Sequence, residues 1–182
     1  MSNSNITEIR LVAPTIEVKV LDERLLTEFG GLPVPATPGA AAGDVRACSF
    51  IPSTEAGKPD LENARALHSP VTLRPGQQAF FGLGIAMHLR NPNYVALLAP
   101  RSSKGNEGLV LSNTIGVIDS DYQGQLLAAV VNRLHHKEIS VVPGERIAQL
   151  MIVPVIKPHW TVTTEFSTES SRGEGGFGST GK

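Results

Sequence analysis

The chain has 182 residues, a formal net charge of −1 at pH 7 and a single cysteine, Cys48. This length fits one domain with a sizeable core, and the near-zero charge excludes bulk attraction to nucleic acid or to an anionic membrane. One cysteine excludes a disulfide framework, no apolar run reaches the ~20 residues of a membrane helix, and no secretory signal is visible. We therefore expect a cytoplasmic protein that binds neither nucleic acid directly nor a membrane.

Short apolar segments separated by Gly and Pro dominate the chain and predict β-strands. The first, IEVKVL at residues 16–21, alternates as a half-buried strand does, and a short helix candidate, ERLLTEF at 23–29, follows it. The later strand candidates, each closed by turn residues, are VTLRPG, QQAFFGLGIAMHLR, YVALLAP, GLVLSNTIGVID, QGQLLAAVVNRL, EISVVPG and RIAQLMIVPVI. Strands of this length and spacing predict an antiparallel all-β sandwich or barrel.

Two polar segments interrupt this pattern. Residues 51–70, IPSTEAGKPDLENARALHSP, predict a long surface loop with one helical turn at DLENARAL. The tail, SSRGEGGFGSTGK, contains the G-x-x-x-x-G-K spacing of a P-loop, but neither the Mg²⁺-binding hydroxyl nor the helix that a P-loop needs follows Lys182. Two interpretations of the tail remain. It is a disordered end, as glycine- and serine-rich termini usually are. Alternatively, it is a lid that orders over a ligand, because Arg172 suits phosphate and a mere linker would not need the Phe177 ring.

The densest polar cluster is SNTIGVIDSDYQGQ, residues 112–125, which predicts a hairpin with functional groups at its tip. Asn113 offers one acceptor and two donors, which suits the imide edge of a uracil. Tyr122 would lie against a sugar face, and Asp119 would take the proton of an attacking water. Asp, Ser and Gly are also ordinary turn residues, so a plain turn is the simpler interpretation of this window alone.

A basic cluster, APRSSKGNEG at residues 99–108, follows a predicted strand. Arg101, Ser102, Ser103 and Lys104, with backbone amides left open at Gly105, form a set that can bind a polyphosphate. A solvated basic turn explains the same residues equally well.

Two shorter segments are uninformative alone. In PGERIAQL, Gln149 lies at a turn-to-strand boundary, and a surface ion pair between Glu145 and Arg146 is the default expectation. In PGAAAGDVRAC, small residues surround Asp44 and Arg46 and permit close approach to a ligand or to another strand.

Taken in order, AGDVRAC, PRSS, N-x-x-G-x-I-D-x-D-Y-x-G, PGERIAQ and RGEGGFGSTG resemble the five motifs of the trimeric dUTP pyrophosphatases (dUTPases). The resemblance implies an all-β, distorted jelly-roll or β-clip barrel over residues 1–168 and a flexible glycine-rich C-terminal arm, residues 169–182, that acts as a mobile lid. It also implies a homotrimer whose active sites are shared between subunits. The implied activity is hydrolysis of dUTP to dUMP and pyrophosphate, which supplies dUMP for thymidylate synthesis and keeps uracil out of DNA.

The resemblance also implies roles for the residues that contact the base, the sugar and the water. Asn113 would read the uracil edge, and Tyr122 would pack on the deoxyribose and leave no room for a 2′-hydroxyl. Asp119 would activate the water that attacks the α-phosphorus. The backbone groups that complete base recognition would belong to Gly116, Val117 and Ile118.

The remaining motifs would hold the triphosphate. Arg101, Ser102 and Ser103 would line the phosphates with Gln149 close to them, and Asp44 would act through water on one Mg²⁺ that bridges the triphosphate. In the tail, Arg172 would grip the γ-phosphate and Phe177 would stack on the uracil. The phosphate donors of the tail would be Gly178 and Ser179.

This chain departs from the family pattern at three places. Ala42 stands where the first motif usually has a glycine, and Ser103-Lys104 replaces the usual Gly-Leu of the second motif. We expect the Lys104 side chain to point to solvent and the 51–70 insertion to be an inert loop. A dCTP deaminase and a non-catalytic nucleotide-sensing module are the alternatives within the same fold.

Overall fold

The structure is a computed structural model and describes residues 13–174. Within this range the helices are α1 (Arg24–Thr27) and α2 (Ser102–Glu107), and a 3₁₀ turn covers Leu61–Asn63. The strands, in chain order, are β1 (Glu17–Val20), β2 (Gly43–Arg46), β3 (Ser49–Ile51), β4 (Arg65–Ala66), β5 (Val71–Leu73), β6 (Gln78–His88), β7 (Tyr94–Pro100), β8 (Leu109–Leu111), β9 (Gly116–Ile118), β10 (Gln125–Asn132), β11 (Ile139–Val141) and β12 (Arg146–Pro154).

The described strands form two larger sheets and one separate pair, and all pairings are antiparallel. The six-stranded sheet has the order β4-β3-β6-β10-β8, with β1 also paired to β6. The four-stranded sheet has the order β2-β12-β7-β9, and β5 pairs with β11. This arrangement confirms the predicted all-β class.

One hydrophobic core joins the two larger sheets. Strand β6 is buried along nearly its whole length, which explains its continuous apolar run, whereas β10 alternates between buried and half-buried positions. The core combines side chains of both sheets, including Phe81 and Leu83 from β6 and Leu98 and Ile147 from β7 and β12. Burial of such side chains contributes about 1.5–3 kcal/mol each.

Each predicted strand segment contains a strand of the structure, and both short helical predictions are confirmed. Three further strands were not predicted: β2, β3 and β4, which lie within residues 43–66. They are only two to four residues long, too short for an apolar period to show. Their pairing with distant strands stabilises them instead.

Residues 51–70 are therefore not only a surface loop, and that prediction is wrong in part. Strand β4 pairs with β3 at the edge of the larger sheet, and Leu67 is buried in the core. Arg24 donates to the carbonyls of Leu67 and Cys48, so the end of the insertion is tied to the first helix. Asp22 completes this contact, and the hydrogen bonds from Arg24 hold the pKa of its carboxyl below the usual value.

The one buried polar side chain in the described part of the chain belongs to Asn132, which is fully buried. Its amide donates to the carbonyls of Leu73 and Lys137 at 3.0 and 2.8 Å, and its oxygen accepts from the Leu134 amide at 3.0 Å. The side chain thereby joins the end of β10 to β5 and to the turn before β11.

Replacing Asn132 by alanine is expected to lower the free energy of unfolding by about 3 kcal/mol, because the buried Leu73 carbonyl, the Lys137 carbonyl and the Leu134 N–H lose a partner. Urea unfolding at one fixed protein concentration measures the loss. The control is Asn63→Ala, whose exposed amide contacts Asp60, and we expect it to cost less than about 1 kcal/mol. Equal losses for the two variants would contradict the buried role of Asn132.

Candidate active site

The four-stranded sheet brings three separate segments of the chain together around Asp44. In β2, Asp44 lies opposite Gln149 of β12, which in turn lies opposite Ala99 of β7. The Asp44 carboxylate accepts from Arg101 Nε at 2.6 Å and from an Nη atom of Arg146 at 3.1 Å. Two guanidinium groups thus share one carboxylate, which leaves an excess of positive charge at this end of the sheet.

This arrangement also shows what the small residues and Arg146 contact within the chain. Gly43, beside Asp44, permits close approach of the Pro33 backbone, to which a Cβ atom would come within 2.2 Å, and Arg146 pairs with Asp44 instead of its neighbour Glu145. The default ion pair between Glu145 and Arg146 is therefore wrong. Arg146 is a residue that the sequence reasoning left out of the site, since only the pairing of β2 with β12 brings it to Asp44.

Helix α2 follows this cluster directly and carries the two serines of the basic segment. Ser102 and Ser103 are exposed in its first turn. Gly105 does not leave an open amide as expected, because its N–H donates to the Arg101 carbonyl at 2.9 Å. The helix ends at Gly108, whose φ of 98° is the left-handed conformation that glycine adopts without strain.

Gln149 and Lys104 are both committed to contacts within the chain. The Gln149 amide donates to the Pro100 carbonyl at 2.8 Å, just before the arginine of the cluster. Lys104 does not point to solvent: its side chain is 15% exposed and pairs with Glu107 and Glu145. The expectation of a solvated lysine is therefore wrong.

Strand β9 is an edge strand, and it contains three of the predicted site residues. Gly116, Val117 and Ile118 pair with Leu98, Leu97 and Ala96 of β7, and no described strand pairs with the other side of β9. An edge strand presents unpaired N–H and C=O groups along that side. Residues 112–125 are thus not a simple hairpin, because β8 and β10 belong to the other sheet while β9 crosses to this one.

Polar side chains lie at both ends of β9. Asn113 is exposed in the turn before the strand, and Asp119 directly follows it. Asp119 lines an open cavity of about 800 Å³ together with Val117 and Asp121. Basic and imidazole side chains contribute to the same cavity, namely His88, Arg90 and Lys157.

Tyr122 is held in the loop between β9 and β10. Its hydroxyl donates to the Gln125 carbonyl at 3.0 Å, and its side chain is partly exposed. The ring lies so close to Gly124 that a Cβ atom there would come within 2.4 Å of the Tyr122 hydroxyl. Any residue other than glycine at 124 would therefore displace the ring.

The two polar clusters of one chain lie far apart along β7. Ile118 pairs with Ala96, so Asp119 lies beside Val95, whereas Arg101 follows the other end of β7. At ~3.3 Å per residue the separation amounts to about 20 Å. The carboxylate and the arginine cluster of one chain are thus too far apart to act on the same phosphorus.

The last predicted site residues lie in the tail. Arg172 is exposed in the turn near the end of the described residues. Phe177, Gly178 and Ser179 lie outside the described residues, so their predicted roles stay predictions.

Comparison with known sequences gives one consistent family. The sequence profile of the dUTPase family matches residues 66–181. The deoxyuridine 5'-triphosphate nucleotidohydrolase of Thiobacillus denitrificans is 44% identical over 168 residues, which cover 92% of this chain and 99% of that protein. The same enzyme of Janthinobacterium sp. is 45% identical over 169 residues, with 92% and 98% covered.

Solved structures agree with the sequence relatives. The dUTPase of Staphylococcus bacteriophage 80alpha with dUPNHPP is 25% identical, has a TM-score of 0.69 and covers 92% of this chain and 99% of its own. A second solved structure is that of a mutant dUTPase of phage phi11 of S. aureus, which reveals the coordination of a structural Mg(II) ion. It is 20% identical, has a TM-score of 0.63 and covers 85% of this chain and 99% of its own. At this identity it shows the fold alone. These matches confirm the predicted jelly-roll type of fold. The chain belongs to the dUTPase family, because the family profile matches it and because its relatives are 44% and 45% identical to it over nearly their whole length.

Proposed function

We propose that this protein hydrolyses dUTP to dUMP and pyrophosphate. The observation that carries the proposal is the position of Asp119, a carboxylate at the end of an edge strand with free backbone groups, in an open cavity. A hydrolase needs such a group to accept the proton of water, whereas a protein that only binds a nucleotide does not. The names of the relatives, deoxyuridine 5'-triphosphate nucleotidohydrolases, support the same substrate.

Recognition of the base and the sugar falls to β9 and the residues around it. The free edge of β9 offers N–H and C=O groups in alternation, which match the acceptors and donors of a uracil edge, and the Asn113 amide adds a further donor and acceptor. Tyr122 packs against the deoxyribose, where its hydrogen bond to Gln125 and the bare Gly124 hold the ring. A ring held in this way discriminates against a 2′-hydroxyl by occupying its space.

Hydrolysis then requires one water and one base. Asp119 accepts a proton from the water as the oxygen of that water forms a bond to the α-phosphorus. The bond from the α-phosphorus to the bridging oxygen breaks, and pyrophosphate leaves with the electron pair. Such general-base help contributes about 10²- to 10⁴-fold in rate.

The phosphates bind at the other cluster and under the tail. Arg101, Ser102 and Ser103 face the triphosphate at the start of α2, and Gln149 keeps the preceding backbone in place through Pro100. Donors fixed before the reaction stabilise the charge that develops on the leaving pyrophosphate. From the tail, the groups assigned to the nucleotide are those of Arg172, Phe177, Gly178 and Ser179.

A magnesium ion would bind at this site mainly through the phosphates of the substrate. Among residues 13–174 no group of three His, Cys, Asp or Glu side chains could hold a metal. Both oxygens of Asp44 already accept from arginine, so this carboxylate is suited to contact a hydrated ion through water. Mg²⁺ binds in this manner, with few carboxylates, several waters and the phosphates of the substrate. When bound, it would neutralise charge on the triphosphate.

We propose a homotrimer with shared sites, and the separation of the two clusters supports the sharing of a site between copies. Because Asp119 and Arg101 of one chain cannot act on the same phosphorus, we propose that a second copy supplies one of the two groups at each α-phosphate. The segment after β12 supports assembly as well, because Trp160, Val162 and Phe166 are almost fully exposed. Large apolar side chains exposed together indicate an interface.

Within the described residues no helix is long and apolar enough to span a bilayer.

The proposed reaction uses a nucleotide substrate, so we place the protein in the cytoplasm. Its single cysteine, Cys48, is buried, and burial raises the pKa of the thiol to about 12. An unreactive thiol fits a reducing compartment but does not require one.

Incubation of the purified protein with dUTP, dCTP, dTTP and UTP, each with Mg²⁺, tests the proposal. We expect pyrophosphate and dUMP from dUTP, with kcat/KM at least about 10²-fold higher than for UTP, because a hydroxyl excluded by a rigid ring costs several kcal/mol. Ammonia released from dCTP would instead identify a deaminase. Binding of dUTP without any product would identify a nucleotide sensor.

A further inference from the structure

Lys104 makes contacts that neither the family pattern nor the proposed reaction explains. Its ammonium contacts the carboxylates of Glu107, at 2.6 Å, and of Glu145. The side chains of Lys104 and Glu145 are only 15% and 16% exposed. These three side chains are called the α2 clamp below.

Glu145 is itself fixed in the turn between β11 and β12. Its second carboxylate oxygen accepts from the Val142 amide at 2.7 Å, and its backbone N–H donates to the Val142 carbonyl at 3.1 Å. Its own carbonyl accepts from the Ala47 amide at 2.9 Å. Lys104 is thus bound to a residue that cannot easily move.

The α2 clamp is the second of two links between α2 and this turn. Arg101, just before the helix, donates to the carbonyl of Arg146, the residue after Glu145. Lys104, one turn later, binds Glu145 itself. Ser102 and Ser103 lie between the two links, so both links hold the backbone that carries the two hydroxyl groups.

The ammonium stays charged in this setting. Partial burial alone would lower the pKa of Lys104, but the hydrogen bonds to Glu107 and Glu145 outweigh burial, and the pKa is raised. Two of the three donors of the ammonium are used on carboxylates. A direct contact with phosphate would require the lysine to give up one of them.

We propose that Lys104 is a positioning residue, which holds the phosphate-binding serines of α2 in place through Glu145 and does not itself bind the triphosphate. The expected change in KM rests on the proposed dUTP hydrolysis. The expected change in the stability of α2 rests only on the contacts of Lys104 within the chain. A lysine at this position thus replaces an apolar residue of the family pattern with an ionic link.

The kinetic test is a double-mutant cycle of Lys104→Met and Glu145→Gln, in which glutamine keeps an acceptor for the Val142 amide. Each single variant should raise KM for dUTP about tenfold, with kcat changed less than about threefold, since displaced serines would lose their phosphate contacts in the bound substrate and in the transition state alike. The double variant should be no worse than the worse single one. Lys104→Arg should restore most of the affinity, and Lys58→Met, on the exposed insertion, is the matched control.

Amide hydrogen exchange of the protein without nucleotide supplies an independent measurement. The amides of Gly105 and Gly108, bonded to Arg101 and Gly105 carbonyls within α2, should exchange faster in both clamp variants and not in Lys58→Met. Unchanged exchange would overturn the inference, whatever the activity. A normal KM in Glu145→Gln beside a raised one in Lys104→Met would also overturn it, because Lys104 would then bind phosphate directly. If the wild-type protein failed to hydrolyse dUTP, only the proposed function would fall, and the exchange result would still decide the clamp.

Discussion

The Asp119→Asn variant is expected to bind dUpNHpp nearly as tightly as the wild-type protein while its kcat for dUTP falls by about 10²- to 10⁴-fold. Asparagine has the same shape but accepts no proton from water at neutral pH. The position of Asp119 after an exposed edge strand means that the change removes no core contact, so the loss would be chemical. Single-turnover kinetics with dUTP, beside titration calorimetry with dUpNHpp, separate the two effects.

The matched control is Asp121→Asn, which removes the same charge from the same cavity two positions away. We expect a loss below about tenfold, since a carboxylate that only contributes to the local field is worth about 1 kcal/mol or less. Equal losses for the two variants would assign the effect to the charge of the cavity. Wild-type turnover in Asp119→Asn would remove Asp119 from the reaction.

Deletion of residues 172–182 is expected to lower kcat for dUTP by at least about 10²-fold and leave the fold intact, because donors that surround the developing charge contribute about 10²- to 10³-fold each. The described residues near this end, from 169 to 174, are all exposed, and among residues 13–174 no buried hydrophobic residue lies beyond Leu150. Removal of residues 172–174 therefore costs no buried apolar surface. Steady-state kinetics and a thermal unfolding curve of the same preparation test both statements.

A shorter deletion, of residues 180–182, keeps Arg172, Phe177, Gly178 and Ser179 and provides the control. We expect it to retain at least about a third of the activity, because none of the assigned phosphate or base contacts is lost. If the longer deletion were as active as the wild-type protein, the tail would have no part in hydrolysis. If it lowered the melting temperature by more than a few degrees, the tail would be part of the folded unit.

The sequence alone predicted the class of structure because most strands show their own period or their own apolar run. Strand β10 is an apolar run from Leu126 to Val131 although its burial alternates, and β6 is largely apolar because it is covered on both faces. Both signals are local, so no knowledge of the partner strands is required to recognise them. The short strands β2, β3 and β4 lack such a signal, and only their partners identify them.

The motifs named the residues of the candidate site, but not their contacts. Asp44, Arg101 and Gln149 were each selected from separate segments, yet Arg146 was taken for a surface residue paired with its neighbour. The contact between Arg146 and Asp44 depends on the antiparallel register of β12 with β2, which joins residues about a hundred positions apart. Lys104 was assigned to solvent for the same reason, because its partner Glu145 is distant in sequence.

By itself, the order of the residues determined the family and the all-β class, and it selected the carboxylate, the amide and the phenol that we propose for nucleotide binding and hydrolysis. These are properties of local composition and of motif order, so they can be recognised in the amino-acid sequence without knowledge of the fold. The tertiary structure alone decided which side chains neutralise one another and that Asp119 and Arg101 of one chain lie about 20 Å apart along β7. Pairing between distant strands sets those relations, because the hydrogen-bonded register of a sheet, and not the distance along the chain, brings charges together.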